Sequence, residues 1–224
     1  MGIKKLASGL LHVIFGNDFF YNNSKWIGDS LVGCESILDL GCGKASPYVR
    51  YFHKNYHYAT GVDLFFEVCE AAKSTKRYSA IVQSDALSYL RKCSNRQFDV
   101  IMALDIIEHL PKPESAELLV EMERVAKKVI VVVTPNGYWP ALLAGDGMAH
   151  LCGWFYSEMI SRGYIIRGAG GWALLRNRKT SFLWWCDLTS VAFQILIFNI
   201  SQVFVKSRPW HAYGITCIKV RSLQ

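Results

Sequence analysis

The run Ile37-Leu38-Asp39-Leu40-Gly41-Cys42-Gly43 constrains this chain more than any other segment, because a short apolar stretch ends there in an acid and a Gly-x-Gly turn. Such a stretch, too short for a helix and closed by glycine, reads as a buried parallel strand whose carboxyl end opens onto a ligand. Gly41 and Gly43 remove the Cβ atoms that would block backbone approach. A helix starting near Ala45 would aim unpaired N–H groups at an anionic group. A small-molecule site is expected at this turn, although glycine after a strand also serves a plain tight turn.

The same grammar repeats downstream. Apolar runs at Ile37–Leu40, Tyr58–Asp63, Ala80–Gln83, Phe98–Leu104, Val129–Thr134, Tyr164–Gly168 and Gly214–Val220 read as strands. Helical patterns at Pro47–Lys54, Phe66–Ser74, Ala86–Cys93, Pro113–Ala126 and Tyr156–Arg162 alternate with them, which predicts an α/β fold around a parallel sheet. With 224 residues, 51% of them hydrophobic, the chain can bury a full core. It is read as one domain over 1–224, with a helical cap at 1–30 and a hydrophobic helical insertion at 172–208. The segment Leu6 to Phe15 resembles a signal peptide, but it holds His12 and no A-x-A site, so it is read as an amphipathic helix. Leu6 stands where a myristoylation motif after Gly2 needs Ser or Thr. Seven cysteines without a CxxC pair fit a reducing compartment, and a cytoplasmic location is expected.

Four strand ends supply acidic or small polar groups, and a parallel sheet gathers them on one carboxyl edge, where ligands bind in open α/β folds. They are Asp39 with Gly41 and Gly43, Asp63, Ser84 with Asp85, and Asp105. The step from Gly43 to Asp63 matches the rule that an acid about twenty residues on takes ribose hydroxyls. A nicotinamide-binding loop would need a third glycine, and here the loop reads Gly41-Cys42-Gly43-Lys44-Ala45-Ser46. A dehydrogenase is therefore disfavoured.

The segments ILDLGCGKA, GVDL, SDAL, FDVIMALDIIEHL, VVVTPNG and HLCGW, in that order, resemble the successive motifs of the class I S-adenosylmethionine-dependent methyltransferases, close to the type 11 and ubiquinone-biosynthesis O-methyltransferases. The resemblance implies a Rossmann-like, seven-stranded, mostly parallel sheet of order 3-2-1-4-5-7-6. The last strand would be antiparallel, helices would cover both faces, and the hydrophobic helical insertion would precede the last strand. It implies S-adenosyl-L-methionine as cofactor and S-adenosyl-L-homocysteine as product. On these positions Asp39 would hold the methionine ammonium, with backbone from Gly41, Cys42 and Gly43. Asp63, followed by Leu64, would accept from the ribose. Asp85 would accept from the adenine amine and Ala86 would offer its N–H to the ring, while Leu104 and Asp105 close the site. A helix cap is the plainer reading of Asp85.

If the turn after the fourth strand is helical, Asp105, Glu108 and His109 share one face. Methyl transfer to oxygen or nitrogen needs a group to take the acceptor's proton, and His109 is the first candidate, with Glu108 and His150 beside it. The same residues resemble the metal-binding pattern of ubiquinone-biosynthesis O-methyltransferases and small-RNA terminal 2′-O-methyltransferases. There a second histidine before a tryptophan completes the set, as His150 precedes Trp154 here. Asp105 stands where those families carry Glu, and a divalent metal is the less favoured reading.

From Phe182 to Val205 a long apolar stretch is broken by Asp187, Ser190, Gln194, Ser201 and Gln202 along one side of a helix. Flanked by Arg176, Arg178 and Lys179 before it and Lys206 and Arg208 after it, the stretch suits either a membrane interface or a helix packed on its own domain. With a formal charge of +7 this points to a small, hydrophobic or lipid-linked acceptor, methylated on oxygen before nitrogen or carbon. An RNA 2′-O-methyltransferase stands second, since the basic residues are scattered rather than arrayed in a stripe. A methyltransferase-like binding protein without catalysis is the third reading.

Overall fold

Strand β1 (Ser36–Leu40) sits near the middle of a seven-stranded sheet whose order is β3-β2-β1-β4-β5-β7-β6. The computed structural model describes residues 23–44, 58–140, 149–173 and 201–221. The other strands are β2 (Tyr58–Asp63), β3 (Ala80–Gln83), β4 (Phe98–Leu104), β5 (Ala126–Pro135), β6 (Ile165–Trp172) and β7 (Ala212–Val220). Pairings β1–β2, β1–β4, β2–β3 and β4–β5 are parallel, and β7 runs antiparallel to both β5 and β6. This is the sheet the resemblance implies.

Helices α1 (Ser24–Ser30), α2 (Phe66–Ser74), α3 (Ala86–Lys92), α4 (Lys112–Val125) and α5 (Tyr156–Ser161) flank it. Successive side chains of a strand leave opposite faces. Leu38, Leu40, Ile101 and Ala103 therefore meet Leu87 and Leu90 of α3 and Leu118, Leu119 and Met122 of α4 on one face. Ile37, Val100, Met102 and Val131 meet Ile27 and Leu31 of α1 on the other. Covered on both faces, the central strand β4 reads as the continuous apolar run PheAspValIleMetAlaLeu broken only by Asp99. Asp99 accepts from the Glu35 backbone and the Lys128 ammonium, which hold its carboxyl below the usual carboxylate range despite burial.

Some boundaries differ from the sequence reading. Strand β5 starts at Ala126, not Val129, because Ala126 pairs with Phe98 across an irregularity in the β4–β5 register. Strand β6 runs to Trp172, well past Gly168, through Gly170 and Gly171 at positive φ. The expected helix Pro47–Lys54 lies outside the described residues, as do most of the 1–30 cap and of the 172–208 insertion.

The described end of that insertion, residues 201–206, is helical. Its polar side chains face inward: Gln202 accepts from the Gly171 N–H and donates to the Gly168 carbonyl, and Ser201 accepts from the Trp172 N–H. Its apolar Val203 and Phe204 are 74% and 60% exposed. Among the described residues no helix is long and apolar enough to cross a membrane.

Candidate active site

The carboxyl ends of β1, β2, β3 and β4 converge, because parallel neighbours point their ends to one side of the sheet. The β1 end turns at Gly41 and Gly43, both at positive φ, and the Cys42 N–H donates to the Val62 carbonyl. A Cβ on Gly41 would lie 1.8 Å from Ile106 Cδ1, so the loop after β4 rests directly on the loop after β1. A Cβ on Gly43 would meet nothing within 4 Å among the described residues, so this position is open on their side.

Asp39 is fully buried, and burial pushes its carboxyl up to about 7, against the Tyr78 hydrogen bond, which lowers it, with nearby Asp63 raising it further. The Tyr78 hydroxyl donates to Asp39 Oδ2 at 2.6 Å, while Oδ1 has no partner among the described residues. A buried carboxylate oxygen left this way is costly unless a ligand or water completes it. Asp63 stands between the two loops and accepts from the Gly43 N–H (3.0 Å) and the Phe65 N–H (3.1 Å). Those bonds orient both oxygens and leave lone pairs for hydroxyls. Leu64 and Phe65 beside it are 57% and 43% exposed. Asp85 caps α3, accepting from the Ser88 N–H at 2.8 Å, so the plainer reading of this acid holds for one of its oxygens. Ala86, as the first residue of α3, keeps an N–H that no intrahelical partner can take. An orphaned acid oxygen, an open glycine, an oriented acid and apolar neighbours together fit a molecule carrying an ammonium, ribose hydroxyls and a flat base, as S-adenosylmethionine does.

Leu104 ends β4, and Asp105 follows at φ 54 with its N–H donating to the Val133 carbonyl. Residues Ile107–His109 form one 3-10 turn, not an α-helix. The shared helical face expected for Asp105, Glu108 and His109 is therefore replaced by a different grouping: Glu108, His109 and His150 bring one ligand atom each within 4.8 Å of one another. The segment around His150 is laced onto the turn. Leu151 and Cys152 N–H groups donate to the Glu108 carbonyl, and Cys152 Sγ donates to that of Ile107. Lys112 donates to the Gly153 carbonyl and the Trp154 indole to Ser115 Oγ.

Both imidazoles are oriented the same way. A carbonyl can only accept, so His109 Nδ1–H donates to Ala149 (3.1 Å) and His150 Nδ1–H to Trp139 (2.5 Å). In each neutral ring this leaves the lone pair on Nε2. Burial, with His150 nearby, holds His109 below the usual imidazole range, against the raising effect of its bond to Ala149. Glu108 is 2% exposed and accepts from the Thr134 hydroxyl at 3.0 Å. Burial first, then the nearby Asp105, pushes its carboxyl up to about 8.

Aromatic side chains gather at the ends of β5 and β7. Trp139 lies 4.9 Å from Tyr213, Tyr156 lies 6.2 Å from Trp210, and Trp172 lies 6.2 Å from His211, measured between ring centres. Asn136 ties these pieces together, donating to the Pro209 and Ala212 carbonyls and accepting from the Tyr156 N–H. Tyr78, Thr134 and Asn136 were not singled out from the sequence. Each acts across a long loop of chain, and only Thr134 and Asn136, inside VVVTPNG, lay in a motif that could have drawn attention to them.

Residues 38–133 match the family model described as a methyltransferase domain. No curated protein matches the chain in sequence. Among solved structures, a SAM-dependent methyltransferase from Archaeoglobus fulgidus is 18% identical and superposes with a TM-score of 0.57, over 90% of this chain and 92% of that one. Magnesium protoporphyrin IX methyltransferase from Synechocystis PCC 6803, solved with bound SAM, is 15% identical with a TM-score of 0.52 over 90% and 77%. The [4+2]-cyclase SpnF is 14% identical with a TM-score of 0.58 over 91% and 82%, so the shared fold does not by itself fix the reaction. Residues 38–133 are thus similar to a methyltransferase domain, and the sheet ordered 3-2-1-4-5-7-6 is the Rossmann-like fold shared with these solved S-adenosylmethionine-dependent methyltransferases.

Proposed function

We propose that the protein transfers a methyl group from S-adenosylmethionine to an oxygen of a small, hydrophobic or lipid-linked acceptor. The observation that carries this reading is the imidazole of His109, partly buried and tied through Nδ1 to Ala149, on the turn after β4 whose Ile106 packs against Gly41. The cofactor, when bound, supplies an electrophilic methyl on a sulfonium, and S-adenosylhomocysteine leaves. Asp39 and the 41–43 backbone hold its amino-acid end, Asp63 its ribose, and Asp85 with Ala86 its base. His109 Nε2 takes the proton from the acceptor hydroxyl as the oxygen attacks, and Glu108 and His150 border it. The aromatic groups Trp139, Tyr213, Trp210 and Trp172 form an apolar wall suited to a ring or prenyl chain. Incubation with methyl-labelled cofactor and a cell extract should place label in the organic-solvent fraction. Label in RNA instead would favour the 2′-O-methyltransferase reading.

A second reading has one specific observation in its favour: Glu108, His109 and His150 form a donor set of one carboxylate and two imidazole Nε2 atoms, suitable for a divalent ion. Such an ion would polarise the acceptor oxygen and lower its pKa. Activity should then vanish on chelation and return with added magnesium, manganese or zinc. A stripped enzyme that turns over normally removes this reading.

Tyr78 bears on cofactor affinity. Its hydrogen bond favours the ionised form of Asp39, so Tyr78→Phe raises the pH at which that acid ionises. Calorimetry with S-adenosylhomocysteine should show Y78F binding weaker near pH 7, by roughly tenfold per unit of displacement, with the deficit closing near pH 9. A deficit equal at every pH would make Tyr78 a packing residue only.

A further inference from the structure

In the helix at residues 201–206, Ser201 and Gln202 are buried against β6 together with Val205, while the adjacent Val203 and Phe204 face outward. Beside them a groove of about 380 Å³ is lined by Ile166, Arg167, Val203, Lys206 and Ser207. Its two cations have no carboxylate partner among the described residues; the Arg167 guanidinium stacks over the Trp26 ring, 4.5 Å from its centre, and Lys206 is exposed. Ile165, on the same edge strand, is 63% exposed.

Two cations without a carboxylate partner among the described residues, with a hydroxyl in the same groove, select an anionic oxygen group such as a phosphate. Apolar side chains standing at its rim exclude a purely aqueous anion as the whole partner, since leaving Val203 and Phe204 in water gains nothing. Both halves of the surface are satisfied together by one kind of partner, a bilayer whose anionic headgroups meet the cations while its acyl boundary takes the apolar pair. The formal charge of +7 works in the same direction.

We propose that the groove between β6 and residues 201–207, with Val203 and Phe204 at its rim, docks the protein on the surface of an anionic lipid bilayer. This surface stands apart from the methyl-transfer chemistry, so either assignment can fail without the other.

The test is co-sedimentation of the full chain with phosphatidylcholine vesicles and with vesicles also containing phosphatidylglycerol. Wild type should pellet with the anionic vesicles only, and less as salt rises. Arg167→Gln with Lys206→Gln should weaken binding by roughly thirtyfold, each cation near an anionic surface being worth about fivefold. Val203→Ser with Phe204→Ser should weaken it as well at unchanged charge. Both variants should keep the wild-type affinity for S-adenosylhomocysteine, which shows that they are folded. Equal pelleting with neutral vesicles, no pelleting at all, or pelleting untouched by both variants overturns the proposal. So does a lipid-free dimer that the V203S/F204S change dissolves, which would assign the face to a second copy of the chain.

Discussion

Replacing His109 with alanine is expected to lower kcat by about 10²- to 10⁴-fold, the usual contribution of a positioned general base, and to leave S-adenosylhomocysteine affinity nearly unchanged. The residue stands on the 3-10 turn after β4, tied through Nδ1 to Ala149. Because burial holds it below the usual imidazole range, it is neutral and able to accept a proton at neutral pH, and the acidic limb of the wild-type kcat profile should lie below about 6.5. Steady-state kinetics on H109A and His150→Ala separate the two readings of the cluster. A base alone predicts a much milder loss for H150A, whereas a shared metal ion predicts comparable losses for both. Loss of turnover and of cofactor affinity together in H109A would instead mark a structural histidine.

The second large effect is expected from Gly41→Ala, which should abolish S-adenosylhomocysteine binding and lower the melting temperature. A left-handed φ of 61 costs a residue with a Cβ about 1–2 kcal/mol. The new Cβ would also overlap Ile106, which must swing away and carry the loop bearing Asp105 to His109 with it. Overpacking of this kind adds about 1–3 kcal/mol, and the sum corresponds to a fall of roughly 4–20 °C in a chain of this size. Gly43→Ala is the informative partner. Its φ of 58 carries the same backbone strain, yet its Cβ meets nothing among the described residues, so it should melt closer to wild type while still losing ligand into the space it fills. Adding Ile106→Ala to Gly41→Ala should recover part of the stability, a coupling that a thermal-melt double-mutant cycle reads directly.

Much of this site was legible because parallel strands buried on both faces leave unbroken apolar runs, and the acids that end them stand out. Asp39, Asp63 and Asp85 are visible in this way, and topology alone brings them to one rim. The sheet order itself came from the resemblance, since periodicity does not say which strands are neighbours. Asp85 shows the limit of reading one residue at a time: its carboxylate caps α3 whatever else it binds. Tyr78 acts on Asp39 across 39 residues of chain with no local pattern to announce it, while Thr134 acts on Glu108 across 26 and only its place in VVVTPNG hints at a role. A face shared by Asp105, Glu108 and His109 requires the turn to be α-helical, and i, i+3, i+4 spacing does not distinguish that from the single 3-10 turn at Ile107–His109. For residues 201–206 amphipathicity could not say that Ser201 and Gln202, with Val205, turn inward. Unpaired backbone groups at the glycine-rich end of β6 settle that, since Gln202 and Ser201 are needed to satisfy them.

The central claim is that acids far apart in the chain grip one molecule of S-adenosylmethionine at the rim of β1, β2 and β3. Calorimetric titration of the protein with S-adenosylhomocysteine, repeated on Asp63→Ala, tests it most directly. The account predicts one molecule bound per chain and a severe loss of affinity in D63A. A wild-type titration without heat, or a D63A protein that binds as tightly as wild type, would contradict it.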